Sequence, residues 1–351
     1  MIQLTKQQLN FLTIYLLWMD KEQAFRLKGE KDKNKIIFTQ ESQKGFLIST
    51  IDYNIPENFD FDFNFDTYTF VSLVRSLSDE TLITITQKGI EFNENKYDIK
   101  NYKMQFTDFN PYLNDINKDN PEFEINDIEK FKYIKDSIGM DDLAVVAFQN
   151  KYFITSDRMN YSSFVKTTFD YTDPFFFASD LFNLLTTIGE KNKRINLQEK
   201  YYYVWIGNTV VFFMNKDYSI PNMFDPDIMK MYDFKDKFEV DKNKFKIILD
   251  RMKIVASANR DSRIAIELQE NEVIIKNNDN QLAYEKLEAI VDKDVIGLTF
   301  NISSVYLSQV LNYLEGEKIF CYCSNNKDDF ATLKVSGVSG DNFYVINLLE
   351  D

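Results

Sequence analysis

The chain has 351 residues, 44% hydrophobic and 15% aromatic, with 10 Gly and 6 Pro. That is enough apolar material for two or three packed domains and too little Gly and Pro for long disordered linkers. The formal net charge of −14 means that any contact with nucleic acid has to rest on local positive charge, and the complete lack of His excludes Ser-His-Asp and Cys-His hydrolases and His-ligated metal sites. Lys6, Gln7, Gln8 and Asn10 interrupt the apolar start, which has no small-residue cleavage site, so a signal peptide is not expected. No apolar run approaches the roughly 20 residues of a membrane span. With two cysteines in all, the chain suits a reducing cytoplasm, and no membrane partner is expected.

In chain order, the spacing of apolar residues first predicts a helix over Lys6–Met19 and strands at Ile36–Phe38 and Phe46–Ile51. Phe59, Phe61, Phe63 and Phe65 then share one strand face. Asp66 is placed to cap a helix carrying Tyr68, Val71, Leu73, Val74 and Leu77, and strands follow at Leu82–Thr86 and Gly89–Phe92. A second round starts with a helix over Ile128–Ile138 and a strand at Ala144–Phe148. Ser179 or Asp180 caps a stripe of Leu181, Leu184, Leu185 and Ile188, and strands return at Tyr201–Ile206 and Val210–Met214. The third round has a helix over Lys242–Val255 and strands at Ile264–Leu268, Val273–Ile275 and Ile296–Phe300. Asn301 is its expected cap, for a helix running to Leu314, and Ile319, Cys321 and Cys323 resume the alternation. The caps recur at a period of about 115–120 residues, which is a repeat of domain size. The expected fold is α+β, three tandem units spanning 1–120, 121–228 and 229–351.

Two chemistries suggested by spacing are set aside. Asp60, Asp62, Asn64 and Asp66 have the alternation of a calcium loop, but Phe fills every intervening position and the turn glycine is missing. Cys321 and Cys323 are one pair on one strand face, with no further Cys or His to complete a zinc site. There is no phosphate-binding glycine loop. No catalytic residue, metal or cofactor is expected.

Several segments resemble the bacterial sliding clamp family, the beta subunit of DNA polymerase III. Phe238–Ser257 (FEVDKNKFKIILDRMKIVAS) looks like the opening helix of that family's third domain. Thr299–Ile319 (TFNISSVYLSQVLNYLEGEKI) resembles its F-N-x-x-Y-x-x-x-V-L segment with a small insertion before Tyr306. Phe343–Asp351 (FYVINLLED) stands where the family has its Y-V-V-M-P-M-R-L ending, and Tyr152–Ser162 (YFITSDRMNYS) resembles a shortened A-T-D-G-H-R-L-A turn. Leu73–Ile85 and Asn95–Met104 are similar to the first domain's second helix and closing strand. The segments are gapped but follow the family's order across nearly the whole chain.

The resemblance implies three DNA-clamp-fold domains per chain and a head-to-tail homodimer ring. Helices line its hole and antiparallel sheets lie outside. Such a ring encircles double-stranded DNA without regard to sequence and binds a DNA polymerase and a clamp loader through short linear peptides. Basic residues on the expected helices are then candidates for the lining: Lys6, Arg75, Lys132, Lys135, Lys193, Arg194, Lys242, Lys246 and Lys253. By position, the peptide pocket draws on Met159, Tyr306, Val345, Leu348 and Leu349, with Pro226 or Met229 as a further wall. The seam between subunits draws on Tyr97 and Ile99 against Leu287.

This chain departs from the family in having Asn347-Leu348 where Met-Pro is usual, Glu350-Asp351 at the end, no Gly-His in the middle-domain turn, and Lys286 at an apolar seam position. Those departures put the peptide preference and the strength of the seam in question. The Lys, Asn, Ile, Phe and Tyr bias is that of an AT-rich genome, and the divergence of the motifs points to a bacteriophage more than to a bacterium. Two other classes remain open at this level: a clamp-fold adaptor or decoy that binds replication proteins without encircling DNA, and an acidic-residue hydrolase of unrelated α+β fold.

Overall fold

The computed structural model describes residues 1–30, 32, 34–43, 45–55, 61–99, 122–124, 132–140, 144–157, 159–168, 174–179, 181, 184–185, 193–197, 201–214, 232–256, 262–277, 283–323 and 332–349. The first third holds β1 (Ile2–Thr5), α1 (Lys6–Asp20), β2 (Ala24–Glu30), β3 (Lys35–Ser42), β4 (Gly45–Asp52), β5 (Asp62–Asp66), α2 (Thr67–Arg75), β6 (Leu82–Thr86), β7 (Gly89–Phe92) and β8 (Asn95–Asp98). In the middle are β9 (Glu122–Glu124), a 3-10 turn at Lys135–Ser137, β10 (Val145–Gln149), β11 (Tyr152–Ser156), β12 (Tyr161–Lys166), β13 (Phe175–Ala178), β14 (Lys193–Leu197), β15 (Tyr201–Ile206) and β16 (Thr209–Met214). The last third has β17 (Lys237–Asp241), α3 (Lys242–Ala256), β18 (Arg263–Leu268), β19 (Glu272–Lys276), β20 (Tyr284–Val291), β21 (Thr299–Ser303), α4 (Ser304–Tyr313), β22 (Lys318–Tyr322), β23 (Thr332–Gly337) and β24 (Asn342–Asn347).

The chain divides into two compact units, 1–128 with 183–217 and 129–182 with 218–351. In the first, β5-β2-β3-β4-β16-β15-β14-β9 form one sheet and β1-β6-β7-β8 another. The second unit has a twelve-stranded sheet in the order β13-β10-β11-β12-β24-β23-β22-β17-β20-β19-β18-β21.

Helix starts follow from side-chain caps. Thr5 Oγ1 accepts from the Gln8 backbone N–H at 3.3 Å while Gln8 Oε1 accepts from Thr5 N–H at 2.9 Å, a reciprocal box that opens α1. Asp66 accepts from Thr69 N–H at 2.7 Å, as expected for α2, and Asp241 accepts from Lys244 N–H at 2.8 Å at the start of α3. Each helix buries one stripe; for α3 it is Phe245, Ile248, Leu249, Met252 and Ala256.

The first unit's core is aromatic. Phe25 on β2 has ring centroids of Phe70, Phe65 and Phe38 at 4.9, 5.9 and 6.3 Å. Cys321 and Cys323 are buried, and desolvation pushes the Cys323 thiol up to about 12. Phe61, Phe63 and Phe65 are buried on one face, while Phe59 lies outside the described residues.

Three expected elements are corrected. Asn301 does not cap α4: it stays in the ladder opposite Ala265, pairing continues to Ser303 opposite Arg263, and Ser303 is the N-cap. The strand before α4 starts at Thr299 because Gly297, at φ +87°, turns the chain, and Ile296 is left exposed. Where Ile128–Ile138 falls within the described residues, it forms 3-10 turns and not an α-helix. Of the middle cap candidates, Asp180 lies outside the described residues.

The outer repeats are built alike. The Lys6 backbone N–H donates to Thr81 O at 3.1 Å, and the Lys242 N–H donates to Glu317 O at 2.8 Å. Both residues open the first helix of their repeat. The sheets show the repeat a second way. β4, the third strand after the first helix, pairs with β16, from Thr209 opposite Ser49 to Phe213 opposite Gly45. β12, its counterpart in the middle repeat, pairs with β24, from Tyr161 opposite Ile346 to Val165 opposite Asn342. Each junction thus joins the third strand of one repeat to the last strand of the next.

Candidate nucleic-acid and partner-binding sites

The basic residues fall into three groups. Lys6, Lys242 and Lys193 donate their ammonium protons to the carbonyls of Leu77, Leu314 and Leu185, so they tie ends of elements together. Lys193 is 1% exposed, which removes its side chain from any lining, while Lys6, which also pairs with Asp79 at 3.2 Å, and Lys242 stay partly exposed. A second group is matched by acids: Lys253 with Asp250 at 3.4 Å, Lys244 with Glu288 at 3.9 Å, and Arg251 in a two-pronged contact with Glu285. Hydrogen bonding to Arg251 lowers the Glu285 carboxyl and raises the guanidinium. These pairs are partly exposed, and solvent screening keeps each one weak. The third group faces solvent. Arg75 is exposed in the last turn of α2, Lys246 is half-exposed on α3, and Lys132 is exposed with its Nζ 4.9 Å from the Tyr133 ring centroid. Arg194 is exposed on β14 over the Trp205 ring, and Lys135 sits in the 3-10 turn.

Of the expected pocket residues, the second unit gathers Tyr306 and Leu348 at the margin of one large cluster. Tyr161 belongs to that cluster, with its ring 6.0 Å from that of Tyr306. Leu349 is held beside them by its N–H donating to Asn301 O at 2.9 Å. Met159, 82% exposed, projects from the turn before β12, which Asp157 organises by accepting from the N–H groups of Asn160 and Tyr161 at 2.8 and 3.1 Å. Val345 is corrected: it is buried against Phe164 and Phe343 within the sheet and lines no open surface. Pro226 and Met229 lie outside the described residues. Tyr161 is not among the pocket residues expected from the sequence, where it reads as one more aromatic in an aromatic-rich chain.

The seam residues separate. Tyr97 is half-exposed on β8 and stacks on Phe92 at 4.8 Å. A side chain at Gly89 would strike the Tyr97 carbonyl, so the bare glycine lets β8 pack closely on its hairpin. Ile99 is buried, and Leu287 faces its own unit's core, so neither offers an outward apolar surface. On β20 the side chains alternate, and Tyr284 at 66% exposure and Ile290 at 64% are its outward apolar residues. Among the described residues β8 ends its sheet, and β20 has β19 along Tyr284–Glu288 and β17 only from Ala289 to Val291.

These helices, antiparallel sheets and repeated junctions have the DNA sliding-clamp fold, of the α+β class. Beta from Caulobacter crescentus pol III superposes with a TM-score of 0.79 at 12% identity, covering 99% of each chain. The DNA polymerase III beta subunit of Thermotoga maritima gives 0.77 at 12%, over 100% of this chain and 99% of that one. The Pseudomonas aeruginosa sliding clamp, solved bound to griselimycin, gives 0.76 at 12% with the same coverage. No family model matches the sequence and no curated protein matches it. Among the described residues no helix is long and apolar enough to cross a membrane.

Proposed function

We propose that the protein is a sliding clamp: two copies close head to tail around duplex DNA and hold a DNA polymerase at its primer end. The observation that carries this reading is the repeated sheet junction. Two junctions within the chain use up β4, β12, β16 and β24, and the same rule leaves β20 and β8 as the complementary pair. A head-to-tail contact made of one such pair closes when the rotations sum to a full turn, and two chains of three repeats (1–120, 121–228 and 229–351) supply six. The seam then brings Tyr97 of one copy to the edge carrying Tyr284 of the next.

Topological retention suits an acidic protein, since it does not require many phosphate contacts. Tethering a polymerase through the Met159, Tyr306 and Leu348 surface raises its local concentration to around millimolar without new DNA contacts. This reading assigns no catalytic step and no cofactor, and it puts the protein with DNA in a bacterial cytoplasm.

Two lysines on α3 separate phosphate contact from structure. Lys246→Ala is expected to reduce the salt slope of DNA retention by about 0.9. Lys242→Ala, which removes the donor to Leu314 O, is expected to leave that slope unchanged and lower stability. The deciding experiment loads the protein on nicked circular plasmid and then linearises it at moderate salt. Loss only upon linearisation supports the ring. Equal retention on circle and line overturns it, and binding of a polymerase peptide with no retention on either would favour an adaptor.

A further inference from the structure

In the first unit, α1 and the sheet leave a cavity of about 450 Å³ between them, at the β4–β16 junction. Ser49 of β4 and Thr209 of β16 stand opposite each other in the ladder and both line it. They are 6% and 3% exposed, and their hydroxyls bond each other at 2.8 Å. That bond uses one of the two hydroxyl protons. Among the described residues neither side chain has another partner, so one O–H donor stays unspent at the cavity. A buried donor of this kind is normally paired.

The remaining walls are mostly apolar. Leu12 and Tyr15 close the space from the helix and Ile206 from the sheet, while Phe11, 49% exposed, stands at the rim. Among the described residues the lining has one charged side chain, Asp52, whose carboxylate is 80% exposed. Apolar walls around one or two convergent polar groups, in a space of this size, are the make-up of a small-molecule site.

We propose that this cavity binds a small neutral molecule with an aromatic ring and one hydrogen-bond acceptor, which takes the unspent hydroxyl proton. An anion is disfavoured by Asp52 and by the net charge of −14. A guest without an acceptor shuts the donor away from water unpaired, and is rejected for that reason. The site does not rest on the ring reading and shares no residue with the Met159, Tyr306 and Leu348 surface. Its helix and β4 belong to the first repeat and β15 and β16 to the middle one, so a bound guest braces the junction between them.

The test uses three probes of similar shape: acetophenone, α-methylstyrene, in which a methylene replaces the carbonyl oxygen, and benzoate. Saturation-transfer NMR on the full chain, at equal probe concentrations, is expected to show about fivefold higher occupancy for acetophenone than for α-methylstyrene, with benzoate weakest. Cross-peaks from acetophenone to the rings of Phe11 and Tyr15 are expected in the wild type. Asn208→Trp, at an exposed turn position of the lining, is expected to block binding and keep the melting temperature. The double variant Ser49→Ala, Thr209→Val is expected to hold acetophenone and α-methylstyrene equally. No binding of any probe, binding without those cross-peaks, or binding that Asn208→Trp leaves intact overturns the site. Benzoate held as well as acetophenone overturns the neutral class. Equal occupancy by acetophenone and α-methylstyrene in the wild type, or a preference that persists in the double variant, overturns the role of the hydroxyl pair.

Discussion

Phe25→Ala is expected to destabilise the first unit by about 3–5 kcal/mol, against roughly 5–15 kcal/mol for the whole stability of a typical domain. Phe25 is fully buried and its ring is shared by β3, β5 and α2 through Phe38, Phe65 and Phe70. Truncation removes the transfer free energy of a phenyl group and three ring contacts, one edge-on, one tilted and one stacked. The remaining rings sit on a sheet and a helix that cannot both move in to fill the space. Urea unfolding followed by circular dichroism measures the loss. Phe11→Ala on α1 is the control, since Phe11 is 49% exposed, and it is expected to stay within about 0.5 kcal/mol. A Phe25 loss as small as that of the control would mean that the aromatic cluster does not hold this unit together.

Replacing Tyr97 and Tyr284 together by Ala is expected to weaken self-association by about a hundredfold or more and to abolish retention on circular DNA. Both rings are exposed on strand edges that the proposed closure brings together, and aromatic anchors dominate most interfaces. Leu287→Ala offers the contrast. Leu287 is buried in its own unit, so its loss should reduce folding stability and leave the association constant of the folded protein little changed. Light scattering across a dilution series distinguishes the two. A double variant that stays dimeric with an unchanged constant would place the seam elsewhere.

Much of the fold was legible in the sequence. Alternating apolar residues marked β3, β4, β7, β10, β15, β16, β18 and β19, and the Phe-spaced stretch with Asp66 gave β5 and the start of α2. β2 is not among the expected strands although Phe25 and Leu27 alternate with Arg26 and Lys28, the pattern of a half-buried strand. At Asn301 two preferences competed, and the sheet won: a capping side chain is worth about 1 kcal/mol, less than three further residues of pairing with β18.

The functional sites were less legible, for a physical reason. A sequence shows that Lys6, Lys193 and Lys242 are charged but not that a carbonyl waits within reach of each ammonium. Alternation likewise shows that Leu287 and Lys286 face opposite ways without saying which way is in. Tyr306 and Leu348 were found by their place in a motif, and the unspent proton of the Ser49–Thr209 hydroxyl pair only by counting donors and acceptors in three dimensions.

The strand edges of β8 and β20 also bear on the life of a newly made subunit. Under the proposed closure, a single chain presents both edges to water until a second copy covers them, and an open edge will accept any passing strand. β8 is four residues long and carries Lys96 and Asp98; β20 carries Lys286 and Glu288 on its outward face. A foreign strand would have to desolvate these charges, including the pairs Lys96–Glu91 and Lys286–Glu272 at 3.2 and 2.6 Å. Under the proposed closure, the charges that make this seam less apolar are also what keeps a lone subunit from aggregating.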